Sequence, residues 1–281
     1  MWLWRGTEPM LSASSGVERL LAPRHGSGVC RRCLNLTAEA TGLCRACRAG
    51  EHHLAAILPI SYSVGGEWLH HLIASYKRDA DPWVPDAITT LARICEAFLS
   101  AHEPCVASAA GVERFQLVTT VPSGDPRRDS HHPLRRIVGD LVAPTRDRHE
   151  RLLVRTPTPA IPRHFDAARY RATQPLRGEA VLLIDDMWTS GASAQSAAAA
   201  LLDAGAGKVA AIVIARHLNR GWDRNDLRLR RLARDGFDFA SCVVCSGEDG
   251  GLTTKPAAAQ RAATGCRLYD AETVVTTGAS P

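Results

Sequence analysis

The stretch Val181–Ser193, VLLIDDMWTSGAS, decides the reading of this chain. Val181 to Ile184 make an apolar run of the length expected for a buried strand. Asp185 and Asp186 follow at its carboxyl end, and then a turn of small residues: Thr189, Ser190, Gly191, Ala192 and Ser193. The turn opens into an alanine-rich segment predicted as a helix from Ala192 to about Ala204. A helix start leaves backbone N–H groups without intrahelical acceptors, and such groups attract anions. With the hydroxyls of Thr189, Ser190 and Ser193 they suit a phosphate monoester, and Gly191 allows close backbone approach. The two carboxylates can accept hydrogen bonds from a vicinal diol. Phosphate and diol together describe a ribose phosphate.

Working outward, Gly205 marks the helix stop, and Val209–Ala215 reads as a second buried strand. Strand, helix and strand then form a βαβ unit with right-handed crossover. Upstream, Phe115–Val121 predicts a strand ending in Pro122-Ser123-Gly124. A basic loop carrying Arg127 and Arg128 leads from it into a helix over Pro133–Val142. Leu152–Val154 predicts another short strand. Thr156–Pro162 is too Pro-rich to be regular, and its polar, Arg-rich continuation runs to Arg177. Residues 54–80 read as a strand, a Gly65-Gly66 turn and a helix from Glu67 to Lys77. In that helix Trp68, Leu69, Leu72, Ile73 and Tyr76 fall at helical spacing. A second helix over about Pro85–Ala101 buries Ile88, Leu91, Ile94, Cys95 and Phe98. His52, His53, His70 and His71 read as loop or helix-surface histidines.

The chain has 281 residues, 45% hydrophobic and 22% charged, enough for one large globular domain and a small module. A net charge of +5 suits a polyanionic substrate without singling one out. No apolar run reaches the roughly 18 residues a membrane span needs, and the N-terminal MWLWRGTEPMLSASSG lacks a signal-peptide core. A cytoplasmic protein with reduced thiols and no membrane partner is expected. Nine cysteines then point to metal rather than disulfides. Cys30-Arg-Arg-Cys33 and Cys44-Arg-Ala-Cys47 are two CxxC knuckles whose four thiolates can converge on one structural Zn²⁺. Arginines within both knuckles favour the thiolates. Metal binding would supply the folding energy of so small a module. Cys95 is expected in the core and Cys105 as a lone thiol. Cys242-Val-Val-Cys245 is a single CxxC and reads as structural. Residues 1–24 are expected as a loosely held tail with a short helix around Val17–Leu21.

The thirteen residues 181–193 resemble the PRPP-binding signature of the type I phosphoribosyltransferases. They follow its four apolar positions, two acids, two apolar positions and hydroxyl-rich glycine turn. Trp188 departs from it, since the family usually carries an aliphatic residue there. The order of parts is similar to the ComF-type (competence protein F) phosphoribosyltransferases over about residues 28–218. Those parts are a double CxxC module, a segment ending in Tyr76-Lys77, a strand ending in Val121-Pro122, and the signature. Where that family continues its Val-Pro step into a basic stretch ending Arg-Gly-Phe-Asn-Gln, this chain has a different basic sequence.

The resemblance implies an α/β, type I phosphoribosyltransferase fold: a mainly parallel sheet with helices on both faces and a zinc-ribbon-like N-terminal module. The expected division is a tail at 1–24, the four-cysteine module at 25–50, the phosphoribosyltransferase domain at 51–218 and a C-terminal extension at 219–281. The implied substrates are PRPP, with its Mg²⁺, and a nitrogen nucleophile. Asp185 and Asp186 would hold the ribose hydroxyls, and Thr189, Ser190, Gly191, Ala192 and Ser193 the 5′-phosphate. Ser123 and Gly124 would meet the pyrophosphate, with Arg127 and Arg128 as the nearest cations. Residues 157–175 stand where the family has a mobile flap, with Arg163 and Arg169 as candidates on it. Two other readings accompany this one. The first is a PRPP- or nucleotide-sensing protein without transfer. The second is a competence-type factor binding DNA or protein through Arg31, Arg32, Arg45 and Arg48 of the zinc module.

Overall fold

The computed structural model describes residues 16–38, 42–78, 84–123, 129, 132–158, 161–222 and 225–246. Its centre is a parallel sheet of four strands: β1 (Ile57–Val64), β2 (Leu117–Thr120), β5 (Ala180–Trp188) and β6 (Lys208–Leu218), in the order β1-β6-β5-β2. A separate antiparallel pair, β3 (Leu153–Arg155) and β4 (Tyr170–Ala172), stands beside it. Among the described residues, four helices of eight or more residues complete the fold: α1 (Trp68–Ser75), α2 (Val84–Ala110), α3 (Ala192–Asp203) and α4 (Asn225–Asp235).

The apolar run Val181–Ile184 sits in the middle of the sheet. Val181, Leu182, Leu183 and Ile184 are all fully buried, as expected where both faces of a parallel strand are covered. Val181 pairs with Val209 and Ile184 with Ile212 on one side, while Leu117 to Thr120 pair with Val181 to Ile184 on the other. The connection from β1 to β2 carries α1 and α2 across one face, where Leu72, Leu91 and Phe98 join Leu182, Ile184 and Ile212 in one core. The chain then steps back from β5 to β6, and α3 covers the opposite face, its Ala197, Ala198 and Leu201 packed with Val181, Leu183 and Val213. Reversing the direction of travel across the sheet puts helices on both faces. The alanines let α3 lie close to the sheet.

Several boundaries differ from expectation. β5 does not stop at Ile184 but continues through both aspartates, with Met187 paired to Ala215 and Trp188 to Arg216. α2 continues past Pro104 to Ala110, because its last turns still bury Val106, Ala107 and Ala110 while proline forfeits only one backbone donor. The helix expected over Pro133–Val142 is instead a one-turn helix, Pro133–Arg136, a π-helical turn, Ile137–Leu141, and another short turn, Ala143–Arg146. The Arg-rich stretch before Arg177 contains β4. Past Asn219 the chain forms α4. The tail reading is corrected for its described part: Leu20 and Leu21 are buried, the Leu21 N–H donates to Ser61 Oγ, and the Tyr62 N–H donates to Leu21 O. The rest of that tail, and the extension beyond residue 246, lie outside the described residues. Among those described, no helix is long and apolar enough to cross a membrane.

Candidate functional site

Thr189, Ser190, Gly191, Ala192 and Ser193 form the link between the carboxyl end of β5 and the first turn of α3. Gly191 is the helix N-cap, in left-handed backbone with φ 85°. That conformation disfavours a side chain, and a Cβ there would run into the indole of Trp188. The indole is buried beneath the turn, so the residue that departs from the family pattern fills the space glycine leaves. Ser190 Oγ is 3.4 Å from the Ala192 amide, and Gln195 N–H donates to Gly191 O to begin the helix.

The two acids part company. Successive strand residues point to opposite faces. Asp186 lies on the α1 face and is buried; Lys77 Nζ stands 2.6 Å from its Oδ2, and Tyr76 Oη donates to the same oxygen. Burial, and then the Asp186 charge, hold the Tyr76 phenol well above its ordinary pKa, so it remains a donor. Asp185 is half-buried, and its Oδ1 accepts from the Asp186 N–H at 2.9 Å. Desolvation, reinforced by the neighbouring Asp186 charge, pushes its pKa up to about 7 against the pull of Lys77. Its charge also helps burial raise the pKa of Tyr170 on β4. Asp186 is therefore engaged by two donors of the chain itself, and Asp185 is the acid with a share of solvent. Sequence reading cast the pair as equals. Tyr76 was legible as a core position and Lys77 only as part of a family pattern, and their hold on Asp186 comes from the crossover that brings them against β5.

The segment expected as a flap lies over the signature turn. Ser190 Oγ donates to Arg163 O at 3.3 Å, and Ser196 Oγ accepts from the Asp166 N–H at 3.0 Å. Arg169, buried, donates from Nη1 to Ser193 Oγ at 3.0 Å and from Nη2 to the carbonyls of Ile161 and His164. Arg163 itself adopts φ 63°. Of the two arginines singled out there, Arg169 makes side-chain contact with the turn, and Arg163 meets it through its carbonyl.

On the β2 side, the Ser123 N–H donates to Asp129 Oδ1 at 3.1 Å. Asp129 also takes Arg135 Nη2 at 3.2 Å and Arg151 Nη2 at 2.6 Å, so a buried carboxylate, unforeseen in the sequence, gathers Ser123, Arg135 and Arg151. Gly124, Arg127 and Arg128 lie outside the described residues.

Cys30, Cys33, Cys44 and Cys47 converge, all buried, with their sulfurs within 4.8 Å of one another. Cys33 and Cys44 are 3.6 Å apart. The knuckle geometry is present as well: Leu34 N–H returns to Cys30 O, Arg48 N–H to Cys44 O, and Gly42 takes φ 71°. This set is compatible with one structural zinc held by four thiolates. The cation that meets it is not one of the knuckle arginines. Arg31 and Arg45 are exposed, and Arg32 donates to the Leu54 carbonyl. Instead Arg216 of β6, itself buried, donates from Nε to Cys33 O at 3.2 Å and places Nη2 3.9 Å from Cys33 Sγ. Its Nη1 donates to Trp188 O at 2.9 Å. One guanidinium thus ties the four-cysteine module to the end of β5. Gln195 makes a second tie, its Oε1 accepting from the N–H groups of His53 and Leu54 just after the module.

The reading of Cys105 as a lone thiol is corrected, and the single CxxC of Cys242 and Cys245 has further ligand-type neighbours. Together with His102, their ligand atoms also lie within 4.8 Å of one another. Cys95 is buried in the core as expected.

No family model matches the chain, and no curated protein or solved structure matches it.

Proposed function

We propose that this protein is a phosphoribosyltransferase of the type I class, ComF-like in its parts. In this reading it binds the magnesium complex of PRPP and transfers the ribosyl 5-phosphate to a nitrogen nucleophile. The observation that carries the reading is the place of the signature: a hydroxyl-rich glycine turn leads from the central parallel strand into a helix start. In sheets wound on both faces, ligands bind outside the carboxyl ends of the strands. A 5′-phosphate on the 189–193 turn would accept from first-turn amides of α3 and from Ser190 and Ser193. Asp185 would accept from the ribose diol. Hydrogen bonds from a diol favour the ionised carboxylate, so PRPP binding should strengthen as pH rises through about 7, where Asp185 titrates.

Ser190 and Ser193 are hydrogen-bonded to the 163–169 segment. In this reading those bonds are exchanged for phosphate oxygens as PRPP enters, and the segment is the cover over the site. Arg169 is then a positioning residue whose guanidinium can turn from Ser193 to the phosphate. The magnesium arrives with its substrate, held chiefly by pyrophosphate and ribose oxygens. In the transfer, the bond from ribose C1 to the pyrophosphate oxygen breaks and its electron pair leaves with pyrophosphate. The nitrogen lone pair makes the new bond, and the nitrogen gives up a proton. The chain's part is to position and to offset charge.

The test is titration with Mg·PRPP followed by a pyrophosphate assay over a panel of bases and ammonia. Saturable binding and pyrophosphate release with an acceptor are expected; absence of binding removes the reading. One observation favours a second reading, a PRPP or nucleotide sensor without transfer: Asp186 is already engaged by Lys77 and Tyr76. Binding without pyrophosphate release across the panel would select it.

A further inference from the structure

His102 and Cys105 stand one turn apart on α2, so they share a face. Cys242 and Cys245 lie in a turn beyond α4, more than a hundred residues later in the chain. The fold brings the four together. His102 Nδ1 is 3.8 Å from Cys105 Sγ and 3.8 Å from Cys245 Sγ, and the sulfurs of Cys242 and Cys245 are 3.6 Å apart. A disulfide would put two sulfurs about 2 Å apart. A tetrahedral zinc site with Zn–S near 2.3 Å has ligand-to-ligand edges of about 3.8 Å. The observed spacings are those of such edges.

The surroundings prepare the ligands. His102 Nε2 is 2.8 Å from the Phe239 carbonyl, which can only accept, so Nε2 carries the proton and Nδ1 turns its lone pair toward the sulfurs. The Cys242 N–H points at Cys245 Sγ at 3.1 Å, a contact that favours a thiolate. His102 and Cys242 are buried and Cys105 is half-buried, while Cys245 reaches solvent and leaves a route for an ion. The segment 237–246 has neither helix nor strand. Its apolar attachment includes Cys242 and Val243, buried in the core, with Phe237, Phe239 and Val244 packed at the edge. This cluster packs with the α2 face of the sheet, whereas the four-cysteine set packs with the α3 face.

We propose that His102, Cys105, Cys242 and Cys245 form a second zinc site, of three thiolates and one imidazole, that fastens the chain beyond α4 to the end of α2. Thiolate and imidazole donors in a tetrahedral array select zinc among the common divalent ions. Four protein ligands close the coordination sphere, which makes the site structural rather than catalytic. It is independent of the phosphoribosyl reading, since none of its residues belongs to the signature or to the four-cysteine module.

The test uses the full chain, purified with zinc and counted by elemental analysis. About two zinc ions per chain are expected. Cys242→Ser with Cys245→Ser should lower the count to about one, and so should Cys30→Ser with Cys33→Ser. His102→Ala should lose the second ion while His102→Cys keeps it, which separates ligation from a packing role. In the unmutated protein, Cys105, Cys242 and Cys245 should resist alkylation until a chelator removes the metal. One zinc per chain in the unmutated protein, an unchanged count in the Cys242/Cys245 double variant, or alkylation of these thiols equally fast with and without chelator would each overturn the proposal.

Discussion

Asp185→Asn tests the electrostatics of the strand end. The Asp185 carboxyl is held up at about 7, against 3.8 for an unperturbed aspartate, mainly by desolvation and next by the Asp186 charge. Between those two values the folded protein binds a proton that the unfolded chain does not. Stability from this group is therefore fully present below pH 3.8, falls as pH rises, and is exhausted above about 7. At about 1.4 kcal/mol per unit, the interval from 3.8 to about 7 corresponds to at most about 4 kcal/mol. Only its upper part, from pH 5.5, lies in a range where thiolates held by zinc would stay deprotonated, and that part amounts to about 2 kcal/mol. Asparagine keeps the oxygen that accepts the Asp186 N–H but does not titrate. Urea unfolding of both proteins at pH 5.5 and pH 8 should show the variant gaining about 2 kcal/mol on the parent between the two pH values. Contributions from titrating groups that do not interact with Asp185 cancel in that difference. A stability difference that stays constant with pH, or one that moves against the variant at pH 8, would refute the reasoning.

Three further outcomes follow from named contacts. Gly191→Ala must place a Cβ in left-handed backbone and against the Trp188 ring, and should cost more than about 2 kcal/mol in urea unfolding. Adding Trp188→Leu should return about 1 kcal/mol of that loss, read as a coupling in a double-mutant cycle. Tyr76→Phe removes a donor to buried Asp186 while keeping the ring, and should cost about 1–3 kcal/mol by thermal or urea unfolding. Arg216→Met leaves the carbonyls of Cys33 and Trp188 without their donor. It should destabilise the fold by about 3 kcal/mol and speed zinc loss to a chelator, followed with a colorimetric zinc indicator.

What sequence reading could reach was local. The run Val181–Ile184, the glycine turn and the alanine helix carry their own signals, so the strand, turn and helix fell where expected. β5 is longer than expected because two adjacent aspartates read as the end of a strand; parallel pairing to β6 carries the ladder through them to Trp188. The helix expected to end near Ala101 runs on through Pro104, because burial of Val106, Ala107 and Ala110 outweighs the backbone bond that the proline gives up. The four cysteines at 30–47 were legible because both knuckles lie within a short span. His102, Cys105, Cys242 and Cys245 had no such signal, since two ligands sit on a helix and two lie far downstream. The same limit hid Arg216: nothing local in β6 says that its guanidinium will reach Cys33 and Trp188. The partition of the two acids was likewise a tertiary outcome, set by where α1 brings Tyr76 and Lys77 against β5.

Whether a sugar phosphate rests on the turn after β5 is most directly read by hydrogen exchange across the chain, with and without Mg·PRPP. Slowed exchange at the peptides over residues 185–196 and 161–170, absent at the 185–196 peptides with magnesium pyrophosphate, is the predicted pattern. Unchanged exchange at residues 185–196 under saturating Mg·PRPP would contradict it.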